Sequence, residues 1–395
     1  SFRLSDELAD REVTLRDLLC HRTGMPRHDV LWSALSEDPG EIIKRWGKAK
    51  ASTSFRSTWE YSNVPFTTAG LIAGRIEKSD WATVTQKRIF DPLGMTASSC
   101  TWKAGSSAKD HATPHYFAFD KSVSPVKWDE IDHAGGAGCV NSTATDLANW
   151  LRFQLAGGKF DGKRLVPERL LKETHAPQML FKPEGAFALY FPKKVTRFSS
   201  YGLGWFAHDY RGFDCVSHGG TLTGFRAQCM MVPEKKLGVF VVCNLRPSLF
   251  PEAVAKSALD QLLGLPAEDW VKEGKASLEL LDFTTAVRLT KRKTDRKPDT
   301  KPSLQLKSYA GSYEEPAYGR AEVSLDGEQL KVKFGKLAFR LEHYHFDTFT
   351  AVPVEPADEV RTFDRTTFDV LFRLSAAGEV EGMRFLEQDF TRTKK

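Results

Sequence analysis

The sequence predicts an α+β protein, in which helices flank an antiparallel sheet and a small all-β barrel follows. Three observations lead to this prediction. Capped helical segments dominate the chain up to Thr174, and short strand-like segments bounded by turn residues begin at Tyr201. Beyond residue 302 every apolar segment has the length and residue types of a strand.

Helices are predicted where a capping residue precedes an apolar stripe. The clearest is residues 143–155, because Thr143 and Asp146 have the spacing of a capping box and the apolar residues after them share one face. Thr14 and Asp17 repeat that spacing. The other predicted helices are residues 14–20, 66–77, 80–89 and 168–174, with 254–263 closing on the sheet.

Consecutive antiparallel strands are predicted for residues 201–206, 214–218, 224–232 and 237–244. Residues 233–236 (PEKK) have the composition of the turn between the last two strands. Residues 291–302 (KRKTDRKPDTKP) contain no aliphatic or aromatic residue apart from proline, which is typical of a linker. We therefore expect a domain at 1–290, a charged linker at 291–302 and a β-barrel-like domain at 303–395.

In the C-terminal domain, alternating apolar segments predict several short strands. Asp326-Gly327 and Ala377-Gly378 have the composition of hairpin turns between such strands. Seven strands are predicted: residues 309–313, 321–325, 329–334, 337–342, 348–352, 369–374 and 381–386. Strands at this spacing favour a small barrel or sandwich.

The composition excludes several classes of protein. The chain has 395 residues and a mass of 44.3 kDa, and 41% of its residues are hydrophobic, which excludes a disordered chain. Its longest strongly apolar segment spans only residues 237–245, whereas a membrane-spanning helix needs about 20 residues. The net charge is +5, without a basic stripe near aromatic residues, so no nucleic-acid partner is expected.

The chain contains six cysteines: Cys20, Cys100, Cys139, Cys215, Cys229 and Cys243. None forms a Cys-x-x-Cys pair, so neither a zinc site nor a redox motif is expected. Their even number allows disulfides, and their sparse spacing fits buried thiols equally well. The sequence leaves both states open.

Three local features differ from their surroundings. Tyr61-Ser62-Asn63 precedes a predicted helix, residues 134–138 (AGGAG) precede another, and His218-Gly219-Gly220-Thr221 ends a predicted strand. Taken singly, each has an ordinary structural explanation. Tyr61 would be an interfacial aromatic residue, Asn63 a helix N-cap and His218 a hydrogen-bonded histidine of the sheet.

Taken together and in order, these segments resemble the serine β-lactamase and penicillin-binding protein superfamily. Within it they are most similar to the branch of class C-like esterases, D-aminopeptidases and β-lactamase-related peptidases. The resemblance covers residues 2–263, and the tail from Tyr309 is similar to the lipocalin-like barrel that follows some of these peptidases. The matching segments are residues 15–26 (LRDLLCHRTGMP), 61–63 (YSN), 93–95 (LGM), 134–138 with 142–147 (STATDL), 201–205 (YGLGW) and 218–220 (HGG).

The resemblance implies a mechanism. In this superfamily a serine attacks a carbonyl, and a lysine one helical turn later, in the motif S-x-x-K, acts as partner base. Tyr61 matches the tyrosine that accepts a proton, and Asn63 matches the residue that binds the substrate amide. His218-Gly219-Gly220 takes the place of the motif Lys-Thr-Gly, which lines the cleft. The backbone N–H of Thr221 falls where the family has an oxyanion donor.

Histidine in place of lysine changes the expected substrate. Lysine is a permanent cation suited to the carboxylate of a β-lactam, whereas histidine is mostly neutral at pH 7. We therefore expect an esterase or peptidase rather than a β-lactamase.

The nucleophile motif is missing where the family has it. It should precede residues 15–26, and none of the 14 residues ahead of that segment forms an S-x-x-K. Ser106–Lys109 and Ser124–Lys127 fit the pattern, but both follow Tyr61 in loop-like segments, so they are interpreted as coincidences. We expect either a fragment that lacks its catalytic serine or a homologue that lost it.

Two functions remain open. One is a serine hydrolase that acts on an ester, amide or peptide through an acyl-enzyme when its N-terminal part is present. The other is a non-catalytic binding or scaffolding protein on the same fold. In either case we expect a small-molecule substrate or ligand, no cofactor, no metal and no membrane span. The sequence leaves open whether the protein forms a homo-oligomer and where in the cell it is located.

Overall fold

The structure, a computed structural model, describes residues 2–118, 120–185, 187–354 and 367–393. The chain forms two compact units. The sheet unit comprises Leu4–Arg27 and Lys50–Leu280, and the barrel unit comprises the chain up to Arg3, His28–Ala49 and the chain from Leu281 onward. A segment near the N-terminus therefore belongs to the barrel unit. The predicted domain bounds at 290 and 303 stay predictions.

The predicted helices are present, and their caps form as expected. The hydroxyl of Thr14 accepts from the N–H of Asp17, whose carboxylate accepts in return, and Thr143 caps its helix through the N–H of Asp146. The α-helices are α1 (Glu7–Glu12), α2 (Leu15–Leu19), α3 (Pro39–Lys48), α4 (Val64–Ile76), α5 (Trp81–Thr85), α6 (Trp102–Ser106), α7 (Gly135–Gly138), α8 (Ala144–Leu155), α9 (Glu168–His175), α10 (Phe187–Tyr190), α11 (Phe250–Leu262) and α12 (Trp270–Asp295).

The main sheet of the sheet unit is antiparallel, in the order β10-β9-β8-β7-β6-β5. The strands of this unit are β1 (His115–Phe117), β2 (Val123–Pro125), β3 (Lys159–Phe160), β4 (Lys163–Arg164), β5 (Met179–Leu180), β6 (Ser199–Tyr201), β7 (Phe206–Tyr210), β8 (Phe213–Leu222), β9 (Phe225–Val232), β10 (Leu237–Cys243) and β11 (Leu245–Arg246).

Helices cover both faces of this sheet. Leu151 of α8 packs on one face with Met231 and Phe240, and Leu259 of α11 packs on the other face with Met230. Side chains of successive strand residues alternate between these two cores, as the pleat of a strand requires. This arrangement confirms the predicted α+β class.

One predicted strand is wrong. Residues 201–206 do not form a continuous strand, because Tyr201 ends β6, Phe206 begins β7, and the two residues pair across a hairpin. The N–H of Gly202 donates to the carbonyl of Trp205 at 2.7 Å, and Gly204 has a φ of +90°. That backbone angle favours glycine and turns the chain.

The predicted C-terminal barrel is confirmed. In the described part of the chain, eight consecutive antiparallel strands close when β19 pairs with β12. The prediction missed β19, in which Phe390 is the only large apolar residue. The strands are β12 (Gly311–Glu315), β13 (Gly319–Asp326), β14 (Gln329–Phe334), β15 (Leu337–His345), β16 (Thr348–Pro353), β17 (Phe368–Leu374), β18 (Val380–Phe385) and β19 (Gln388–Arg392).

The long helix α12 was not predicted. It starts at Trp270 and continues to Asp295, so the first residues of the predicted linker 291–302 are helical. Lysine and arginine are good helix formers, and the first proline of the segment is Pro298. Among the described residues, no helix combines the length and apolar composition needed to cross a bilayer.

Candidate active site

The segment that carries Tyr61 is held from both sides. Ser62 is fully buried; its N–H donates to Nδ1 of His21 at 3.3 Å, and its hydroxyl donates to the carbonyl of Arg27 at 3.1 Å. These bonds tie the loop before α4 to the segment after α2. The sequence motif at 15–26 and the triplet at 61–63 are therefore parts of one local structure.

Tyr61 lies between aromatic rings and one cation. The centroid of its ring lies 4.4 Å from that of His21 and 6.3 Å from that of His218. The guanidinium of Arg27 lies over the Tyr61 ring, 5.0 Å from the centroid. A cation over an aromatic face is attracted by the negative potential of that face. The structure thus brings together Tyr61 and His218, two of the residues that the motifs singled out.

Asn63 occupies the N-cap position of α4 with helical backbone angles, φ −77° and ψ −30°. Its carbonyl accepts from the N–H groups of Phe66 and Thr67, both at 3.1 Å. Within the described residues its side chain makes no capping hydrogen bond. Asn63 therefore occupies the expected N-cap position, but its side chain does not cap the helix.

His218 is a half-buried residue of β8 with both ring nitrogens engaged. Its Nδ1 lies 2.7 Å from the carbonyl of Gly219, and its Nε2 lies 2.9 Å from the hydroxyl of Tyr201. A carbonyl only accepts, so Nδ1 carries the proton and Tyr201 donates to Nε2. Burial lowers the pKa of His218 to about 4, which makes the ring neutral at pH 7.

Beyond His218, one edge of β8 is open to the site. β7 begins only at Phe206, opposite Ser217, while β8 continues past that pair to Leu222. Leu222 and Phe225 close a two-residue hairpin, so they form a hydrogen-bonded pair, and such pairs alternate along the ladder. Thr221 is consequently in a non-hydrogen-bonded pair, and its N–H points away from β9, toward the open edge.

A buried arginine on β9 supports this part of β8. Nη1 of Arg226 donates to the carbonyl of Gly220 at 3.1 Å and to the hydroxyl of Thr221, and Nη2 donates to the carboxylate of Glu252 on α11. Arg226 and Glu252 are 7% and 4% exposed. A buried ion pair with well-directed hydrogen bonds is costly to break from one side, so it holds Thr221 in place.

The two glycines after His218 differ in their surroundings. A Cβ on Gly219 would lie 2.7 Å from Oε1 of Gln228, whereas a Cβ on Gly220 would meet only the methyl group of Ala227, at 3.8 Å. A side chain at 219 would therefore displace the flexible amide of Gln228 and crowd the carbonyl of Ala227, at 3.2 Å, whereas 220 has space for one. In the glycine cluster, a Cβ on Gly136 would lie 2.4 Å from the carbonyl of Phe66, so this cluster lets α7 pack tightly on α4.

Apolar side chains surround Tyr61 and Tyr201. Trp59 stacks on Phe181 with a centroid distance of 4.5 Å. Phe187 and Phe206 complete this apolar wall, which is built from the segments around residues 59, 181–191 and 201–206. The wall can hold an apolar group next to Tyr61.

Sequence reasoning missed two residues of this site. His21 and Tyr201 both lie within motif segments that were recognised, at 15–26 and 201–205, but neither had a role. Burial, together with the positive charge of Arg27, lowers the pKa of His21 well below its usual value. Both residues are almost fully buried and touch Tyr61 or His218. Only their position inside these two motif segments could have indicated, from the sequence, that they belong to the site.

Neither S-x-x-K string has the geometry of a nucleophile and its base. Ser106 is the last residue of α6, and the three residues after it lie outside that helix. Ser124 lies in the exposed strand β2, which ends at Pro125, so Lys127 lies beyond the strand and the two residues share no helical turn. These strings remain coincidences of composition.

The family model described as beta-lactamase matches residues 3–263, which include every motif segment of the site. The chain belongs to the beta-lactamase family. Membership confirms the resemblance and the fold. A second model, described as a domain of unknown function, DUF3471, matches residues 295–394, the barrel region.

Similar proteins support this membership. Unguisins hydrolase ungD of Aspergillus violaceofuscus is 26% identical over 367 residues, covering 86% of this chain and 65% of the relative. The chain thus spans just under two thirds of the length of that relative. An octameric penicillin-binding protein homologue from Pyrococcus abyssi is similar in structure, with a TM-score of 0.54 and 19% identity over 99% of this chain and 80% of that one.

A D-amino acid amidase from Ochrobactrum anthropi is also similar in structure. It has a TM-score of 0.51 and 19% identity, and the match covers 68% of this chain and 74% of the amidase. At these identities the likeness concerns the fold that beta-lactamase family members share.

Proposed function

We propose that this protein is the substrate-binding and proton-transfer part of an acyl-enzyme serine hydrolase that acts on esters, amides or peptides. The observation that carries the proposal is the proximity of Tyr61 and His218, whose ring centroids lie 6.3 Å apart, beside the open edge of β8. The relative from Aspergillus violaceofuscus is itself called a hydrolase, which agrees with this class.

Each site residue has a role in this proposal. Tyr61 accepts the proton of the attacking serine, and Arg27 stabilises the negative charge on its phenolate. The N–H of Thr221 donates to the oxyanion that forms on the carbonyl. Asn63 binds the amide of the substrate, while His218, Gly219 and Gly220 line the cleft as its edge strand.

The neutral state of His218 favours the substrate class. Its two nitrogens are engaged by Tyr201 and Gly219, so the ring offers no positive charge to a substrate carboxylate. That supports an ester, amide or peptide over a β-lactam. The apolar wall around Trp59 and Phe187 favours an apolar group on the substrate.

In this proposal the nucleophile and its lysine lie outside residues 1–395. The test uses the natural full-length protein and a fluorophosphonate probe, with the labelled residue identified by mass spectrometry. We expect labelling of the serine of an S-x-x-K motif. Tyr61→Phe should slow labelling by about 100-fold or more, because the proton acceptor is lost. Tyr116→Phe, on β1, is the matched control and should label at the wild-type rate.

A second function has its own support, since neither S-x-x-K string of residues 1–395 lies on one helical turn. It is a binding protein that uses the same cleft without acylation. The two functions predict different results in the labelling experiment. An S-x-x-K motif that resists the probe, or a Tyr61→Phe variant that labels at the wild-type rate, rules out the hydrolase. Calorimetric binding of an aromatic amino-acid amide without labelling then favours the binding protein.

A further inference from the structure

A cavity of about 100 Å³ lies within the sheet unit on the α11 side of the sheet. It is bounded by α10 and the segment that follows it, by α11 and by the beginning of α12. Leu189, Pro192 and Ala253 form apolar walls. Glu252, Lys256 and Ser277 also line the cavity. The site described above does not use this cavity.

Glu252 presents an unsatisfied acceptor. Its Oε1 accepts from Arg226, whereas its Oε2 is buried and has no hydrogen-bond partner in the described part of the chain. Burial raises the pKa of Glu252, and the charge of Arg226 opposes that rise. An unpaired buried acceptor has lost its hydrogen bonds to water without a replacement, which destabilises the folded state. A ligand that donates a hydrogen bond to Oε2 supplies that replacement.

Lys256 presents the opposite group. It is 6% exposed, and its ammonium lies over the ring of Trp270, 5.0 Å from the centroid. Among the described residues, no carboxylate forms an ion pair with Lys256, while Glu273 at the same cavity is paired with Lys194. Burial lowers the pKa of Lys256 to about 8, and the charges of Glu252, Glu273 and Asp260 oppose that fall without forming a close ion pair. A buried ammonium of this kind gains from an anion within hydrogen-bond distance.

The cavity therefore joins a buried ammonium, which has no close ion pair among the described residues, to a buried acceptor without a donor. A buried water needs about 10–15 Å³ of such space, so the cavity has room for one molecule of about five or six non-hydrogen atoms. We propose that this cavity binds a small hydroxycarboxylate, whose carboxylate accepts from Lys256 and whose hydroxyl donates to Oε2 of Glu252. Because Glu252 also holds Arg226, the ligand lies one side chain away from Gly220 and Thr221.

Isothermal titration of the wild-type protein with glycolate, acetate and ethylene glycol tests the proposal. Acetate lacks the donor, and ethylene glycol lacks the carboxylate. We expect glycolate to bind at least 5-fold more tightly than acetate, and ethylene glycol not to bind. Lys256→Met should weaken glycolate binding at least 10-fold, while Lys193→Met, an exposed lysine that does not line the cavity, should leave it unchanged.

A measurement on the wild type covers the case in which Lys256→Met fails to fold. Acetylation of lysines by a succinimidyl ester, followed by mass spectrometry, gives a rate for Lys256 and for Lys193. Saturating glycolate should slow the acetylation of Lys256 at least 5-fold and leave Lys193 unchanged. Equal affinities for glycolate and acetate, or equal acetylation of Lys256 with and without glycolate, overturn the proposal.

Discussion

The hydroxyl of Tyr201 donates to Nε2 of His218 at 2.9 Å, and it does so from a fully buried position at the end of β6. Because Nδ1 of the same ring donates to Gly219, His218 is held as the neutral Nδ1–H tautomer. The histidine that stands in place of the family's lysine is therefore a neutral, fixed group of the cleft.

Tyr201→Phe should raise the pKa of His218 above its value of about 4. The hydroxyl stabilises the neutral ring by donating to Nε2, and removing it takes away part of that preference. The histidine Cε1–H signal, followed by NMR against pH, measures the change. Tyr210→Phe is the control, since it removes another buried hydrogen bond, to Asp260 at 2.7 Å, without touching His218. An unchanged pKa of His218 in Tyr201→Phe contradicts the expectation.

His208 should make the protein less stable in acid. It is 4% exposed; Nδ1 donates to the carbonyl of Asp209 and Nε2 accepts from Ser217, both at 3.0 Å. Burial lowers the pKa of His208 to about 4 in the folded protein, whereas the same side chain has a pKa near 6.5 in the unfolded chain. As the pH falls, the unfolded chain therefore binds this proton before the folded protein does. Neutral His208 thus contributes fully to the free energy of unfolding above about pH 6.5. This contribution, on the order of 2–3 kcal/mol, is lost as the pH falls toward 4.

Denaturant unfolding of the wild type and of His208→Asn between pH 7 and pH 4 checks this prediction. The asparagine amide can replace Nδ1–H as a donor but does not titrate. We expect a smaller loss of unfolding free energy with falling pH in the variant. Parallel curves for the two proteins contradict it.

Asp17→Asn should destabilise the sheet unit by about 3 kcal/mol. Asp17 is fully buried and accepts from Arg22 at 2.5 Å and from Arg56 at 2.9 Å. Burial alone raises its pKa, but hydrogen bonds from Arg56, Thr14 and Arg22 outweigh that effect and hold the pKa well below its usual range. The stabilisation is therefore present above about pH 4 and lost as the pH falls further.

Thermal and denaturant unfolding at pH 7 measure the effect of Asp17→Asn. Asp161→Asn is the control, because Asp161 pairs with Arg152 at 3.0 Å on the surface, and such pairs contribute at most about 1 kcal/mol. Equal losses in the two variants contradict the assigned role of Asp17.

Native protein should react slowly with a thiol reagent, at Cys243 only. All six cysteines are free thiols, and five of them are buried while Cys243 is half-buried. Burial raises the pKa of Cys20 to about 11 and that of Cys215 to about 12, which disfavours the reactive thiolate. We expect Cys243→Ser to abolish labelling in the native state, with all remaining thiols reacting after denaturation. Fast labelling of a second thiol contradicts it.

Six of the twelve α-helices in the described part of the chain could be predicted, because their signals are local. Thr14 and Thr143 cap the helices that follow them through residues three positions away, so the capping pattern is readable in the sequence. The prediction of one strand at 201–206 was wrong because the deciding signal is not local. The apolar residues of this segment fit one strand, and only the pairing of Tyr201 with Phe206 shows a hairpin.

The candidate site was predicted in part. The motif segments identified Tyr61, Asn63 and the segment from His218 to Thr221. They did not identify the buried pair of Arg226 and Glu252, which holds Thr221 from a neighbouring strand and a helix. Such a pair has no fixed spacing in the chain, because its residues meet only when α11 packs on the sheet.

The sequence by itself determined the fold class, the family and the C-terminal barrel, since these follow from local periodicity, capping and the order of motifs. Tertiary structure alone decided which distant groups meet. It joined residues 28–49 to the barrel unit, where Nδ1 of His28 lies 2.9 Å from the hydroxyl oxygen of Tyr318. It also made His218 neutral, by burying its ring against Tyr201. Burial and long-range hydrogen bonds depend on packing, which no short stretch of sequence specifies.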